Sequence, residues 1–155
     1  MLSHCLTDAG AVLMGKATLS EWADMRSNNY SEGYSGRGGQ AYNSYNFTVN
    51  PGGSSSGSAI AVSNNVVPFA LGTETDGSVI NPAERNAIVG FKPTVGLTSR
   101  AGVIPESEHQ DTVRTLLAVG LVSMSEKSAK SSFPGWMLRQ DRTRCCICSR
   151  CYIWC

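Results

Sequence analysis

Short apolar runs alternate along this chain with turns of small polar residues. Ala9 to Gly15 is apolar with glycine near each end and predicts a buried strand. Thr18-Leu19-Ser20-Glu21-Trp22-Ala23 predicts a short helix. Thr18 or Ser20 would cap it, and Glu21 follows Thr18 by three residues as in a capping box. Residues 27–51 hold many Asn, Ser, Gly and Tyr and predict a long loop. Loops of that length are uncommon and usually serve function or cover another part. Pro51 to Gly57 predicts a tight turn, and Ser58 to Ser63 the start of a helix whose small residues pack closely. Val66 to Leu71 predicts a strand and Gly72 to Ser78 a second turn. Pro82 to Ala87 predicts a helix with proline at its first position. Ile88 to Phe91 predicts another strand, closed by Lys92-Pro93-Thr94. Strand, helix and strand in alternation predict an α/β fold. No apolar stretch of about 18 residues is present, so no membrane span is expected.

Composition divides the chain. It has 155 residues, one domain's worth, with a formal net charge of +1 that gives no argument for nucleic acid or membrane binding. Up to Val113, six Lys/Arg and ten Asp/Glu give −4; from Arg114, seven Lys/Arg and two Asp/Glu give +5. Cys145, Cys146, Cys148, Cys151 and Cys155 also fall in the second part. Two segments are therefore expected, residues 1–113 and an unrelated basic, Cys-rich tail of residues 114–155 to which no ordered fold is assigned. The N-terminus lacks the basic-then-apolar pattern of a signal peptide, so a soluble cytoplasmic protein is the default expectation.

The candidate chemistry sits in the two turns. Gly52-Gly53-Ser54-Ser55-Ser56-Gly57-Ser58 places hydroxyls on a backbone with almost no side-chain bulk. Thr73-Glu74-Thr75-Asp76-Gly77-Ser78 places another serine at a strand-to-helix junction. A serine there can attack a carbonyl while nearby N–H groups hold the oxyanion, worth about 3–4 kcal/mol per donor. Gly/Ser turns are also common as plain turns. A phosphate cradle is not indicated, because Gly57 is followed by Ser58 where a P-loop needs Lys.

Taken together, Asn50 to Ala59, Ala70 to Ser78 and Val89 to Thr94 resemble the amidase signature family. Gly96 to Pro105 and Gln110-Asp111-Thr112 continue the resemblance. So do Ala9 to Lys16, Leu19 to Ala23 and Arg37-Gly38-Gly39-Gln40 with Asn43. The resemblance covers residues 5–113 and is nearest to the fungal and plant-type amidases. It implies a fragment of the amidase-signature fold, a mixed β-sheet flanked by helices, and hydrolysis of a small-molecule amide by a Ser–cis-Ser–Lys triad without a cofactor. By resemblance Ser78 is the nucleophile and Ser54, after a cis peptide bond, the bridging serine. Thr75, Asp76, Gly77 and Ser78 supply the oxyanion amides. Ser55, Gly52 and Gly53 support them. The Asp76 side chain is expected to face away and cap the following turn.

The family's lysine precedes the Gly/Ser turn by several dozen residues, in a Val-Lys-Asp-Asn-like stretch, and would fall before Met1. Lys16 matches a different family position and Lys92 a structural turn, so the chain is expected to be inactive, with Ser78 left a weak nucleophile. After Val113 the family continues with a Gly-Pro-containing stretch, whereas the chain reads Arg114-Thr115-Leu116. A shift of one nucleotide in codons for that segment can yield such a stretch, so out-of-frame or intron-derived translation is expected there. Two other readings stand beside the hydrolase: a non-catalytic remnant or gene-model fragment, and a Cys-rich metal-binding or interaction protein. The spacing of Cys148 and Cys151 suits zinc, but no second pair is spaced to match, so no metal site is expected.

Overall fold

The computed structural model describes residues 7–8, 10–92, 116–120, 147–148 and 151–152. Its elements are a 3-10 turn at Glu21–Asp24, β1 (Tyr34–Ser35), β2 (Gly39–Gln40), α1 (Ser56–Ser63), β3 (Ala70–Glu74), α2 (Ile80–Arg85), β4 (Leu116–Gly120), β5 (Ile147–Cys148) and β6 (Cys151–Tyr152). The strands pair antiparallel as β1 with β2, β3 with β4 and β5 with β6. Helix and strand mix as an α/β fold requires. Among the described residues no helix is long and apolar enough to cross a membrane.

The centre is unusual in chemistry. Among the described residues the buried apolar side chains are Ala59, Val62, Val79 and Ala83, with the prolines Pro51 and Pro82. Buried polar ones outnumber them: Ser20, Asn43, Ser54, Ser55, Ser56, Ser58, Ser63, Glu74 and Asn86. Such a centre is stable only if each polar group finds a partner, and most of these do so on backbone from a distant segment. Ser58 Oγ donates to Leu71 O at 2.6 Å, fastening α1 to β3. Ser63 Oγ donates to Asn86 O at 2.8 Å, fastening α1 to the end of α2. Asn86, fully buried, donates from Nδ2 to Pro51 O and Pro82 O, each at 2.8 Å, and accepts Ser44 N–H at 3.1 Å.

Small residues permit this closeness. A Cβ on Gly57 would stand 2.5 Å from Thr18 O, and the Gly57 N–H donates to that same oxygen at 2.9 Å. A Cβ on Gly72 would meet Ser55 Oγ at 2.7 Å and Val79 Cγ2 at 2.9 Å.

Several sequence expectations shift. Residues 11–19 form no strand, and Val12, Leu13 and Met14 are exposed, because no neighbouring strand pairs with them among the described residues. The helix expected at Thr18 to Ala23 is one irregular turn with Trp22 at φ 51° and Ala23 at φ 53°. Ser20 caps nothing there; its Oγ accepts Gly33 N–H at 2.8 Å. Residues 27–51 are a loop, as expected, apart from the two-residue rungs β1 and β2. The strand expected at Val66–Leu71 runs instead over Ala70–Glu74: Asn65 at φ 57° and Pro68 keep the earlier residues out of a ladder. α1 starts at Ser56 rather than Ser58, and α2 starts at Ile80. That puts Pro82 third in α2, where its missing N–H is still one of the unpaired four. Ile88 to Phe91 is not a strand; Ala87 at φ 53° turns the chain and Ile88 N–H closes back onto Ala83 O. Three short strands, β4, β5 and β6, occur within the tail to which no fold was assigned, and β4 takes up its apolar run by pairing with β3.

Candidate active site

The two serine turns meet. Ser55 N–H donates to Ser78 O at 3.0 Å. Ser55 Oγ sits against the end of β3, donating to Thr73 O and accepting Thr73 N–H, both at 3.1 Å. One serine therefore ties the first turn to the strand that leads into the second. Gly53 N–H donates to Asn81 Oδ1 at 3.3 Å, a further tie to the first turn of α2. Gly52 has φ +76°, and a Cβ there would meet Pro82 Cα at 2.7 Å, so the position takes only glycine without displacement.

Ser54 is 2 % exposed, and the peptide bond joining it to Gly53 is cis. Its carbonyl accepts Ser20 N–H at 2.9 Å. Ser56 Oγ donates to Gly52 O, closing the first turn on itself. Ser78 is half-buried. The hydroxyls of Ser54 and Ser78 do not hydrogen-bond each other; it is the two backbones that are joined. In ligand-free sites catalytic hydrogen bonds are commonly long and tighten when substrate binds.

The turn from Thr75 to Ser78 is organised by Glu74, a residue sequence reasoning did not select. Its carboxylate is 3 % exposed. Oε1 accepts Gly77 N–H at 3.0 Å and pairs with Lys92 Nζ at 3.1 Å. Oε2 accepts the N–H groups of Val79 at 2.7 Å and Ile80 at 3.0 Å. Burial acts to raise its pKa, but the amides of Ile80 and Val79, the Lys92 ammonium and the Gly77 amide outweigh it and hold the carboxyl below the ordinary glutamate range. Of the four expected oxyanion amides, the one at Gly77 is thus directed at Glu74. Asp76 is exposed, as expected, but it caps nothing; Glu74 caps the first turn of α2. A signal for Glu74 was present, since an acidic residue next to a helix start is favourable there. It was missed because it belongs to the preceding strand.

Other polar or hollow features offer less. A recess of about 20 Å³ among Ser55, Ala59, Gly72, Val79 and Ile88 is packing space with room for about one water, too small for an amide substrate. Lys92 is engaged by Glu74, and Lys16 is exposed without a bond to Ser54. Among the described residues no His, Cys, Asp or Glu group has the arrangement of a metal site. Cys148 and Cys151 are backbone partners in the β5–β6 register; Cys145, Cys146 and Cys155 lie outside the described residues, as does the segment Gly96 to Thr112.

A family model described as Amidase matches residues 2–118. The chain belongs to the amidase family. An S. pombe (Schizosaccharomyces pombe) protein described as a candidate amidase is 77% identical over 107 residues, 69% of this chain and 18% of that protein. A candidate amidase of Arabidopsis thaliana is 57% identical over 108 residues, 70% of this chain and 21% of that protein. The native peptide amidase of Stenotrophomonas maltophilia superposes with a TM-score of 0.67 at 46% identity, covering 86% of this chain and 30% of that one. The chain spans about a fifth of the length of the curated relatives it matches. These likenesses bear out the amidase resemblance and the fold read from the sequence, with fungal and plant relatives at high identity.

Proposed function

We propose that this chain carries the nucleophile half of an amide-hydrolysing site. Ser78 attacks the amide carbonyl, Ser54 relays its proton toward a lysine, and amides of the Thr75–Ser78 turn hold the oxyanion, with Ser55, Gly52 and Gly53 shaping the site. The observation that carries the reading is the Ser55 N–H bond to Ser78 O at 3.0 Å, which brings together two turns that the chain separates. The Gly77 amide is engaged by Glu74, so the oxyanion role falls on the other turn amides. The base is a lysine that the described residues do not supply. Alone, the 155-residue chain is expected to show little turnover, since losing one member of a hydrolytic triad removes orders of magnitude in rate.

A small amide is the substrate class that fits, and a peptide amide is the first to test because a peptide amidase is among the structural relatives. The test is covalent labelling of the chain with a fluorophosphonate, read by peptide mass spectrometry. Modification at Ser78, absent in Ser78→Ala, supports the reading; a folded chain that excess reagent modifies at other serines while sparing Ser78 overturns it. The boundary between residues 113 and 114 is part of the same proposal and rests on the charge reversal there. Sequencing the transcript across that codon tests it: an in-frame transcript without an amidase-like sequence in the neighbouring frame would sink the idea.

A further inference from the structure

Glu74 closes β3, and its carboxylate turns back over the segment that follows. The order of its donors along the chain is informative. Gly77 precedes Ser78 and Val79 follows it, and both N–H groups end on this one carboxylate, at 3.0 and 2.7 Å. The backbone is gripped on each side of the serine. A carboxylate serving only as a helix cap would need the amides at the start of α2, those of Val79 and Ile80. The Gly77 amide lies upstream of the helix and adds nothing to it. Lys92 arrives from beyond α2 and pairs with the same oxygen that holds Gly77, at 3.1 Å. Glu74 is almost fully shielded from water, and a buried carboxylate is tolerated only when its lone pairs are answered. Here two amides answer one oxygen, and an amide and an ammonium answer the other.

We propose that Glu74, anchored by Lys92, is the positioning residue for Ser78: it sets the direction in which the Ser78 hydroxyl and the neighbouring turn amides face a substrate. The inference rests on the reading of Ser78 as nucleophile. Glu74 touches no reacting atom in this scheme. It acts through the turn, and a displacement of about 1 Å at a reacting group costs on the order of a hundredfold in rate.

The full chain and its variants Glu74→Gln, Lys92→Met, Lys92→Arg and the Glu74→Gln/Lys92→Met pair test this with two readouts. One is hydrogen exchange at the amides of Gly77, Val79 and Ile80, with the α1 amides from Ile60 to Ser63 as the internal control for folding. The other is the rate at which a fluorophosphonate modifies Ser78. Glu74→Gln should speed exchange at the three amides about tenfold or more, since charge-assisted bonds are lost, leave α1 protected, and slow labelling about a hundredfold. Lys92→Met should move both readouts the same way by less, Lys92→Arg should restore them, and the pair should match Glu74→Gln alone. Labelling that is unchanged while the three amides loosen overturns the positioning role, as does undiminished protection in Glu74→Gln. If Glu74→Gln unfolds α1 as well, Lys92→Met decides, and unchanged labelling there overturns the proposal. If labelling of the parent chain falls on other serines and spares Ser78, the hydrolase reading falls separately. Exchange at the three amides then judges the clamp alone, faster exchange in Glu74→Gln supporting it and unaltered exchange overturning it.

Discussion

The Glu74 carboxylate is nearly out of contact with water, yet its partners leave it more acidic than a glutamate in the unfolded chain, whose value is 4.5. The unfolded state therefore takes up this proton more readily than the folded state does. Ionised Glu74 adds stability that is complete above the unfolded value and disappears as pH falls through the lower folded one. In urea titrations the midpoint of the parent chain should hold steady near neutrality and drop on acidification below about pH 4.5. Glu74→Gln should start lower at neutral pH and converge with the parent in acid; parallel curves across the range would refute the assignment. Gly57 makes a steric prediction at the same scale. Adding a methyl group there presses on Thr18 O at 2.5 Å, so Gly57→Ala should cost about 1–3 kcal/mol in the same titration.

α1, β3 and α2 are joined by side chains that bond to backbone, and Asn86 is the densest of these joints. Asn86→Ala strands the carbonyl of Pro51 and the N–H of Ser44, while Pro82 O keeps the backbone N–H of residue 86. Each stranded group costs about 1–3 kcal/mol, so a loss of about 2 kcal/mol or more is expected in thermal unfolding followed by circular dichroism. This layer was the least legible in the sequence. The two serine turns could be read, because their motifs and order carry a family pattern, and the structure sets them side by side with a cis bond before Ser54. Helices rich in small residues were also placed within two residues of their true starts. The strands were not. Gly72-Thr73-Glu74 has the composition of a turn, but it extends because a side-chain-free Gly72 lets Ser55 reach the Thr73 backbone. Ile88 to Phe91 has the composition of a strand but follows a left-handed Ala87. Asn86 gave no local pattern, since its partners are separated in sequence, and the signal at Glu74 was hidden because the residue belongs to the strand before the helix it caps.

Across the whole molecule the described surface is rich in exposed apolar side chains: Val12 at 82%, Phe47 at 75% and Met14 at 68% are the most open. The matched relatives are about five times as long as the aligned segment, judged by the 18–21% of each that it covers. Exposed apolar area of this kind drives association. Light scattering after gel filtration should show concentration-dependent oligomers of the chain, and Val12→Ser with Met14→Ser should shift them toward monomer. The bonds that assemble the site also have a consequence for how the chain could be divided. Ser55 to Ser78 and Thr73, Ser58 to Leu71, Ser63 to Asn86, Gly53 to Asn81 and Asn86 to Pro51 all cross over the segment from Asn64 to Pro68, of which Asn64, Asn65, Val66 and Pro68 are exposed. None of those bonds uses a residue of that segment, so the continuity of the chain there is spare. A break after Asn65 would yield two pieces that recognise each other through these same bonds, a natural cut point for a complementation pair whose reunion reports on the serine turns coming together.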